Sequence, residues 1–276
     1  MELPNHPLVK LVVYGILILG SALMLLPFIW MVSAAFKPLD EVIRVPPTWL
    51  PERPTLDNFT QGFGQFPFWR YFFNSLVVSG IVVLGVLFTS TTAGYAFAKF
   101  SFPGRDFLFI LFLASLMVPF QVRMIPLFLL TDRLGLVDTL AGVAYPWLFD
   151  AFGVFLMRQF IRTIPDELIE AARIDGASEP RIFFTVILPL VRPAVAALAI
   201  FTFVASWEEF LWPLIVSNSD RSRTLPVGLQ VFNEQYGANI HWQMAVALVA
   251  SLPMIFLFLF FQRQFIRGIT LTGLKG

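Results

Sequence analysis

Glu170-Ala171-Ala172-Arg173-Ile174-Asp175-Gly176, running on to Leu188-Pro189, is a short, polar, helix-forming stretch inside a chain that is otherwise mostly hydrocarbon. Such a segment has little reason to interrupt a series of apolar runs unless something outside a bilayer grips it. Around it, the chain is 57% hydrophobic and only 13% charged, with 32 Phe and no Cys. A soluble domain carries about a quarter charged residues, so composition places the whole chain in the membrane class. The net charge of +1 gives no basic or acidic excess that would point to nucleic acid. Without Cys there is no disulfide scaffold, thiolate zinc site or Cys nucleophile. His6 and His241 are the only two histidines and lie far apart, so no metal site is expected.

A hydrocarbon layer of about 30 Å needs roughly 20 apolar residues per helix. Six stretches qualify: approximately Val9–Val32, Phe72–Ala98, Phe107–Leu130, Thr139–Phe160, Pro193–Val216 and Gln243–Phe265. Backbone groups in lipid must be satisfied internally, so these are expected to be helices, with Pro27, Pro119, Pro126, Pro146, Pro213 and Pro253 tolerated inside them. The first run resembles a signal peptide in having Lys10 before it and Val32-Ser33-Ala34 at its end, but it is too long for one and reads as an uncleaved anchor. Lys and Arg set the orientation. With the N-terminus inside, Lys10, Lys99, Arg105, Arg158, Arg162, Arg173, Arg181, Arg192, Arg263, Arg267 and Lys275 all fall on the cytoplasmic side. The expectation is an all-α polytopic protein with six transmembrane helices and both termini cytoplasmic.

The polar insert spans about residues 163–190. Pro165 suits a first helical turn, Asp166 and Glu167 complement the positive helix end, and Gly176 suits a left-handed stop. Leu168, Ala171, Ala172 and Ile174 interleave with Glu170 and Arg173, giving a small-residue surface for close approach and charges for registration. A second helix start follows at Ser178-Glu179-Pro180. An amphipathic helix lying on lipid is the competing reading, but the polar face carries acids as well as bases and the apolar side is rich in alanine.

Glu170-Ala171-Ala172, Asp175-Gly176-Ala177 and Ile187-Leu188-Pro189 together resemble the EAA signature of binding-protein-dependent ABC importer permeases. The resemblance extends from about Asn74-Ser75-Leu76 to the end of the chain. It takes in Gly94-Tyr95-Ala96-Phe97-Ala98-Lys99-Phe100, Phe102-Pro103-Gly104-Arg105, Pro119-Phe120-Gln121, Leu225-Pro226-Val227-Gly228-Leu229 and Arg267-Gly268-Ile269-Thr270, and is similar to the carbohydrate-uptake branch (MalG-like inner-membrane subunits). It implies a MetI-like fold, with residues 1–71 as an N-terminal helix and extracytoplasmic loop and residues 72–276 as the transmembrane domain. It also implies that Glu170, Ala171, Ala172, Asp175 and Gly176 form the surface that couples to a cytoplasmic ATPase. The implied partners are a homologous second permease, two ATP-binding cassette subunits, an extracytoplasmic substrate-binding protein and the bilayer of a bacterial or archaeal cytoplasmic membrane. ATP and Mg would sit on the ATPase subunits and no cofactor on this chain. Consistently, no G-x-x-x-x-G-K-[ST] loop occurs here, so this chain has no such cradle for nucleotide phosphates and is read as a transporter subunit, not an enzyme.

Polar residues inside spans usually face a bundle interior or water. Arg123, Asp150, Glu208 and Glu209 are the candidates for a substrate path, with Trp207 and Trp212 as aromatic partners. On a continuous helix Glu208 shares a face with Phe201, Ala205 and Trp212, while Glu209 lies with Thr202 and Ser206. Carboxylates accept sugar hydroxyls and aromatic rings cover sugar C–H faces. The alternative for Arg123 is a helix-locking ion pair with Asp150 or Glu208. The family more often has Asn-Asp where Glu208-Glu209 stand. The outer loop Ala34–Arg70 is of a length to meet an external binding protein, and the Asn58-Phe59-Thr60 sequon is expected to be incidental. The expected solute is a sugar or oligosaccharide, with glycerol 3-phosphate or a polyol as the alternative. An ion-coupled secondary transporter would often show internal repeats with paired broken helices, and no convincing self-similarity is present. An intramembrane enzyme would leave the insert without a purpose.

Overall fold

The computed structural model describes residues 7–273, with side chains described through residue 262. His6 and Lys275 lie outside the described residues, and Arg263 and Arg267 outside the described side chains. Every regular element among the described residues is helical. Pro7–Ala35, Phe68–Lys99 and Ile240–Gln262 are each long and apolar enough to cross a bilayer, and three bent helix pairs would bring the number of spans to six if each pair counts as one. The chain divides into two compact units: residues 1–67 with 230–252, and residues 68–229 with 253–276.

In the first unit, α1 (Pro7–Ala35) is apolar and exposed on nearly all sides until its last turn, where Ser33, Ala34 and Ala35 are buried. That turn is covered by the segment that follows it, which includes α2 (Leu39–Val42) and α3 (Asp57–Gly64). The buried Glu41 carboxylate is its hub, accepting the backbone N–H of Glu52 (2.8 Å) and Arg53 (3.3 Å) and the Thr48 hydroxyl (3.2 Å). Burial would raise its pKa, but these donors and Lys37 outweigh that effect and hold it below the usual value. Lys37 is buried, stacks over Trp30 at 4.9 Å and donates to the Thr48 carbonyl. Asn58 is also buried, with its amide donating to Ala35 O (2.9 Å) and Lys37 O (2.7 Å). Asn58 of the sequon is therefore a structural clamp, and the segment after α1 is folded around its own polar core.

The second unit carries α4 (Phe68–Lys99), α5 (Arg105–Ala114), α6 (Phe120–Arg133), α7 (Leu140–Ala144), α8 (Ala151–Arg162), α9 (Asp166–Ile174), α10 (Glu179–Ile182), α11 (Leu188–Leu190), α12 (Arg192–Glu208) and α13 (Leu211–Val216). Residues of α14 (Leu225–Tyr236) and α15 (Ile240–Gly273) belong to both units. Val78, Val82 and Val86 of α4, Met157 and Ile161 of α8, and Ala194 and Leu198 of α12 share one buried cluster. Small residues set how closely α4 and α8 approach. A Cβ at Gly94 would sit 2.7 Å from Met157 Cβ and 2.9 Å from Arg158 N, and one at Gly153 would sit 2.4 Å from Ser90 Oγ. Lipid gives little hydrophobic drive between helices, so such close contact supplies much of the association.

Three of the expected spans are not continuous. In the third, Val118 is extended and Pro119 starts a new helix, so 105–117 and 120–133 meet at 99°. Proline lacks an N–H and pushes its predecessor out of the helical region. In the fourth, 140–147 and 151–162 meet at 46°. In the fifth, α12 stops at Glu208, where Glu209 turns extended (φ −63°, ψ 119°), and α13 resumes at Leu211. Its other end meets 179–190 at 80° after a π-helical turn at Phe183–Ile187.

Candidate functional site

α9 begins at Asp166, directly after Pro165, and ends before Gly176, whose φ of +78° is the left-handed stop expected of it. Ile169 is buried, and Ala172 packs on the same apolar cluster as Ile161, Ile164, Ile182 and Ile187. The opposite side is a ridge of Glu167, Leu168, Ala171, Ile174 and Asp175 at helical spacing, all exposed; Glu170 beside it is exposed too. Ile174 is 86% exposed. The five candidate coupling residues therefore divide: Glu170, Ala171, Asp175 and Gly176 face outward, whereas Ala172 is an inward contact.

Polar ties join both ends of α9 to neighbouring structure. At its N-terminus, Lys99 of α4 donates to the Ile164 carbonyl and pairs with Asp166. At its C-terminus, Arg173 Nε donates to Glu179 Oε1 (2.7 Å), and Tyr95 Oη of α4 donates to Glu179 Oε2 (2.9 Å). The Arg173 hydrogen bond holds the Glu179 carboxyl below its usual pKa, against the opposing effect of burial and with help from Tyr95. The side chain of Tyr95 is buried among Phe100 and Phe183, with ring centroids at 5.2 and 5.8 Å. α9 is thus tied to the end of α4 and to the start of the 179–190 helix.

A cavity of about 530 Å³ opens in the same unit where the broken helices diverge. Its walls include Phe120, Arg123, Asp150, Phe152, Phe201, Thr202, Ser206 and Glu209. Of the candidate path residues, Arg123, Asp150 and Glu209 are thus brought together. Asp150 is the N-cap of α8, accepting the backbone N–H of Phe152 (3.1 Å) and Gly153 (2.9 Å). Glu209 accepts the backbone N–H of Trp212 (3.1 Å) at the start of α13. Arg123 makes no ion pair or hydrogen bond among the described residues, so the alternative of a helix-locking pair with Asp150 or Glu208 is not formed.

The other candidates lie elsewhere. Glu208 is exposed and not part of the cavity wall. Because α12 ends there, the face shared with Trp212 does not exist. Trp212 is fully buried, donates Nε1–H to Gly142 O (3.0 Å) and packs edge-on behind Phe120. Trp207 is buried against Phe72 and Phe203. Neither indole is open to a solute; Phe120, Trp147, Phe152 and Phe201 supply the aromatic wall instead. The break at Pro119, and the one between Trp147 and Ala151 with Asp150 as its N-cap, bring these rings to the cavity.

Residues 85–271, more than half the chain, match the family described as "Binding-protein-dependent transport system inner membrane component". The chain belongs to this family. Among its relatives, an arabinooligosaccharides transport system permease protein from Halalkalibacterium halodurans is 42% identical over 253 residues, covering 91% of each chain. An sn-glycerol-3-phosphate transport system permease protein from Escherichia coli is 34% identical over 273 residues, covering 96% of this chain and 97% of the other. A crystal structure of a bacterial ABC transporter involved in import of the acidic polysaccharide alginate contains a chain of the same fold (TM-score 0.81, 24% identity, 93% and 95% coverage). The same transporter type in complex with an alginate pentasaccharide-bound periplasmic protein aligns at a TM-score of 0.65 with 17% identity, covering 91% and 92%. These likenesses agree with the expected MetI-like, all-helical fold, and this binding-protein-dependent permease carries the bent helix pairs within it.

Proposed function

We propose that this chain is a permease subunit of an ATP-driven importer that carries a sugar or oligosaccharide across a bacterial or archaeal cytoplasmic membrane. The three long helices together with residues 105–133, 140–162 and 193–216 make six spans, residues 163–190 stay on the cytoplasmic side, and both termini are cytoplasmic. Residues 1–71 supply the first helix and an outer unit for an extracytoplasmic binding protein, and residues 72–276 supply the permease domain. Two ATPase subunits, holding ATP and Mg, act on the outward ridge of α9, and a homologous second permease completes the path. This chain contributes Arg123, Asp150 and Glu209 to it. The observation that carries the reading is the solvent-facing ridge of α9 tied through Lys99, Tyr95 and Glu179 to α4, in a chain with no phosphate loop of its own. The sugar and oligosaccharide names among the relatives support the solute class.

The test is purification from the native membrane in mild detergent. A P-loop ATPase and a second polytopic permease are expected to accompany the chain, and solute flux through the chain alone would overturn the reading. A second solute, glycerol 3-phosphate, is favoured by one observation: the Arg123 guanidinium has no carboxylate partner among the described residues, while both cavity carboxylates are engaged by backbone donors. Arg123→Gln separates the two. It is expected to leave uptake of a neutral oligosaccharide largely intact, and a loss confined to an anionic solute would establish the second solute.

A further inference from the structure

At the junction of α4, α5 and α8, on the face that carries the Lys99–Asp166 pair, lies a second concavity of about 480 Å³ that takes no part in the solute path. It is lined by Phe97, Ala98, Lys99, Arg105, Asp106, Arg158, Arg162 and Asp166. Lys99 is already neutralised by Asp166. The remainder is three guanidiniums against one carboxylate, +3 − 1 = +2. Asp106 is shared: Arg105 Nε lies 3.1 Å from Oδ1 and Arg158 Nη2 lies 3.5 Å from the same atom. Arg162 is exposed and has no hydrogen bond or ion pair among the described residues.

The site is more than a solvated charge run. The Arg158 side chain is only 11% exposed, is stacked on Phe109 at 4.0 Å, and is fixed by a hydrogen bond from Nε to Phe97 O (3.2 Å). A guanidinium held in place with a weak partner is preorganised for a planar or tetrahedral oxyanion. Beside the concavity, α5 exposes Phe107, Leu108, Ile110 and Leu111 along its length. A cationic recess at the foot of an exposed apolar helix matches an amphiphile with an anionic head and hydrocarbon tails.

We propose that this recess is a binding site for a phosphate ester, and that its source is the headgroup of an anionic phospholipid. The phosphate would accept from Arg162 and from the fork of Arg158, and the acyl chains would lie along α5. Basic recesses between membrane helices on the cytoplasmic side bind such headgroups by the same chemistry. The inference stands on residues 97–166 and on the proposed orientation in the membrane, and does not depend on the solute or on the ATPase partner.

The test uses the full chain with its co-purified subunits, delipidated in detergent and examined by native mass spectrometry. Phosphatidylglycerol is compared with phosphatidylcholine of identical acyl chains, and inorganic pyrophosphate is titrated separately. Wild type is expected to retain phosphatidylglycerol selectively. Arg105→Gln with Arg162→Gln is expected to weaken that retention by on the order of tenfold or more, whereas Arg70→Gln, at the far end of α4, leaves it unchanged. Equal retention of the two lipids overturns the proposal, as does a double variant that binds like wild type. Pyrophosphate binding without lipid preference also overturns it, by making a free phosphate the source. Because the double variant can misfold, a photoreactive phosphatidylglycerol is also applied to wild type. Labels are expected within 97–111 and 154–166, and labels confined to other segments contradict the site.

Discussion

Removing the Tyr95 hydroxyl tests the tie between α9 and α4 most selectively. Tyr95→Phe deletes one hydrogen bond to a carboxylate, at 2.9 Å, without opening a cavity or stranding a donor. Hydrogen bonds to charged groups contribute about 1.5–3 kcal/mol. Here Glu179 is 40% exposed and keeps Arg173, so solvent screening takes the value below that range, to about 1 kcal/mol. That raises the population of a loosened α9 about fivefold. Glu179→Ala should cost more, because it removes both contacts and leaves the buried Tyr95 hydroxyl without its acceptor, a further 1–3 kcal/mol or so. In that background, Tyr95→Phe becomes neutral or stabilising. The assay is amide hydrogen exchange over residues 166–177, alongside solute transported per ATP in the reconstituted complex. Equal exchange in wild type and both single variants would refute the reasoning, as would simple additivity in the double variant. Acid gives a further check. The folded pKa of Glu179 is depressed, so its stabilisation is complete above the ordinary glutamate value of 4.5 and is lost as pH falls through the lower folded value.

Other outcomes follow from the same geometry. Gly94→Val places atoms against Met157 and the Arg158 backbone at 2.7–2.9 Å and is expected to destabilise by about 1–3 kcal/mol, read as a lower melting temperature in detergent; Gly80→Ala, with nothing within 4 Å, should not. Asp138 sits at φ 61° and accepts from the N–H of Asn218 and Ser219 and the hydroxyls of Ser219 and Ser222; those donors hold its carboxyl well below the usual range. Asp138→Ala should therefore expose residues 217–223 to limited proteolysis. Asp138→Asn should do so less, since Asn tolerates that backbone and keeps one acceptor. Glu170→Lys is expected to abolish coupled uptake while membrane insertion is retained, checked by solute uptake against protein level in the membrane.

Local chemistry was legible in the residues, and direction was not. Pro165, Asp166 and Gly176 mark α9 within a residue, and Ser178-Glu179-Pro180 marks the next start, because caps and stops act over one turn. Apolar length picked out the stretches that form three long apolar helices and three bent pairs, but hydropathy is blind to a bend. Lipid-grade residues continue straight through Val118-Pro119, so hydropathy does not register the 99° turn and only Pro119 marks its place. Asp150 was read as a costly intramembrane acid, yet it caps a helix that restarts inside the apolar stretch. The pairing of Glu208 with Trp212 assumed 3.6-residue periodicity across a point where the helix ends. The Tyr95–Glu179 tie joins residues 84 apart, and no local pattern signals it.

The absence of Cys from the chain permits the most direct measurement of the central claim. Ala171→Cys places a single thiol on the exposed ridge of α9, and a short bifunctional crosslinker applied to native membranes reports what lies against it. The account predicts a product with a nucleotide-binding subunit whose yield changes when ATP is added. A thiol that captures only lipid, or reacts identically with and without ATP, would contradict the role given to this helix.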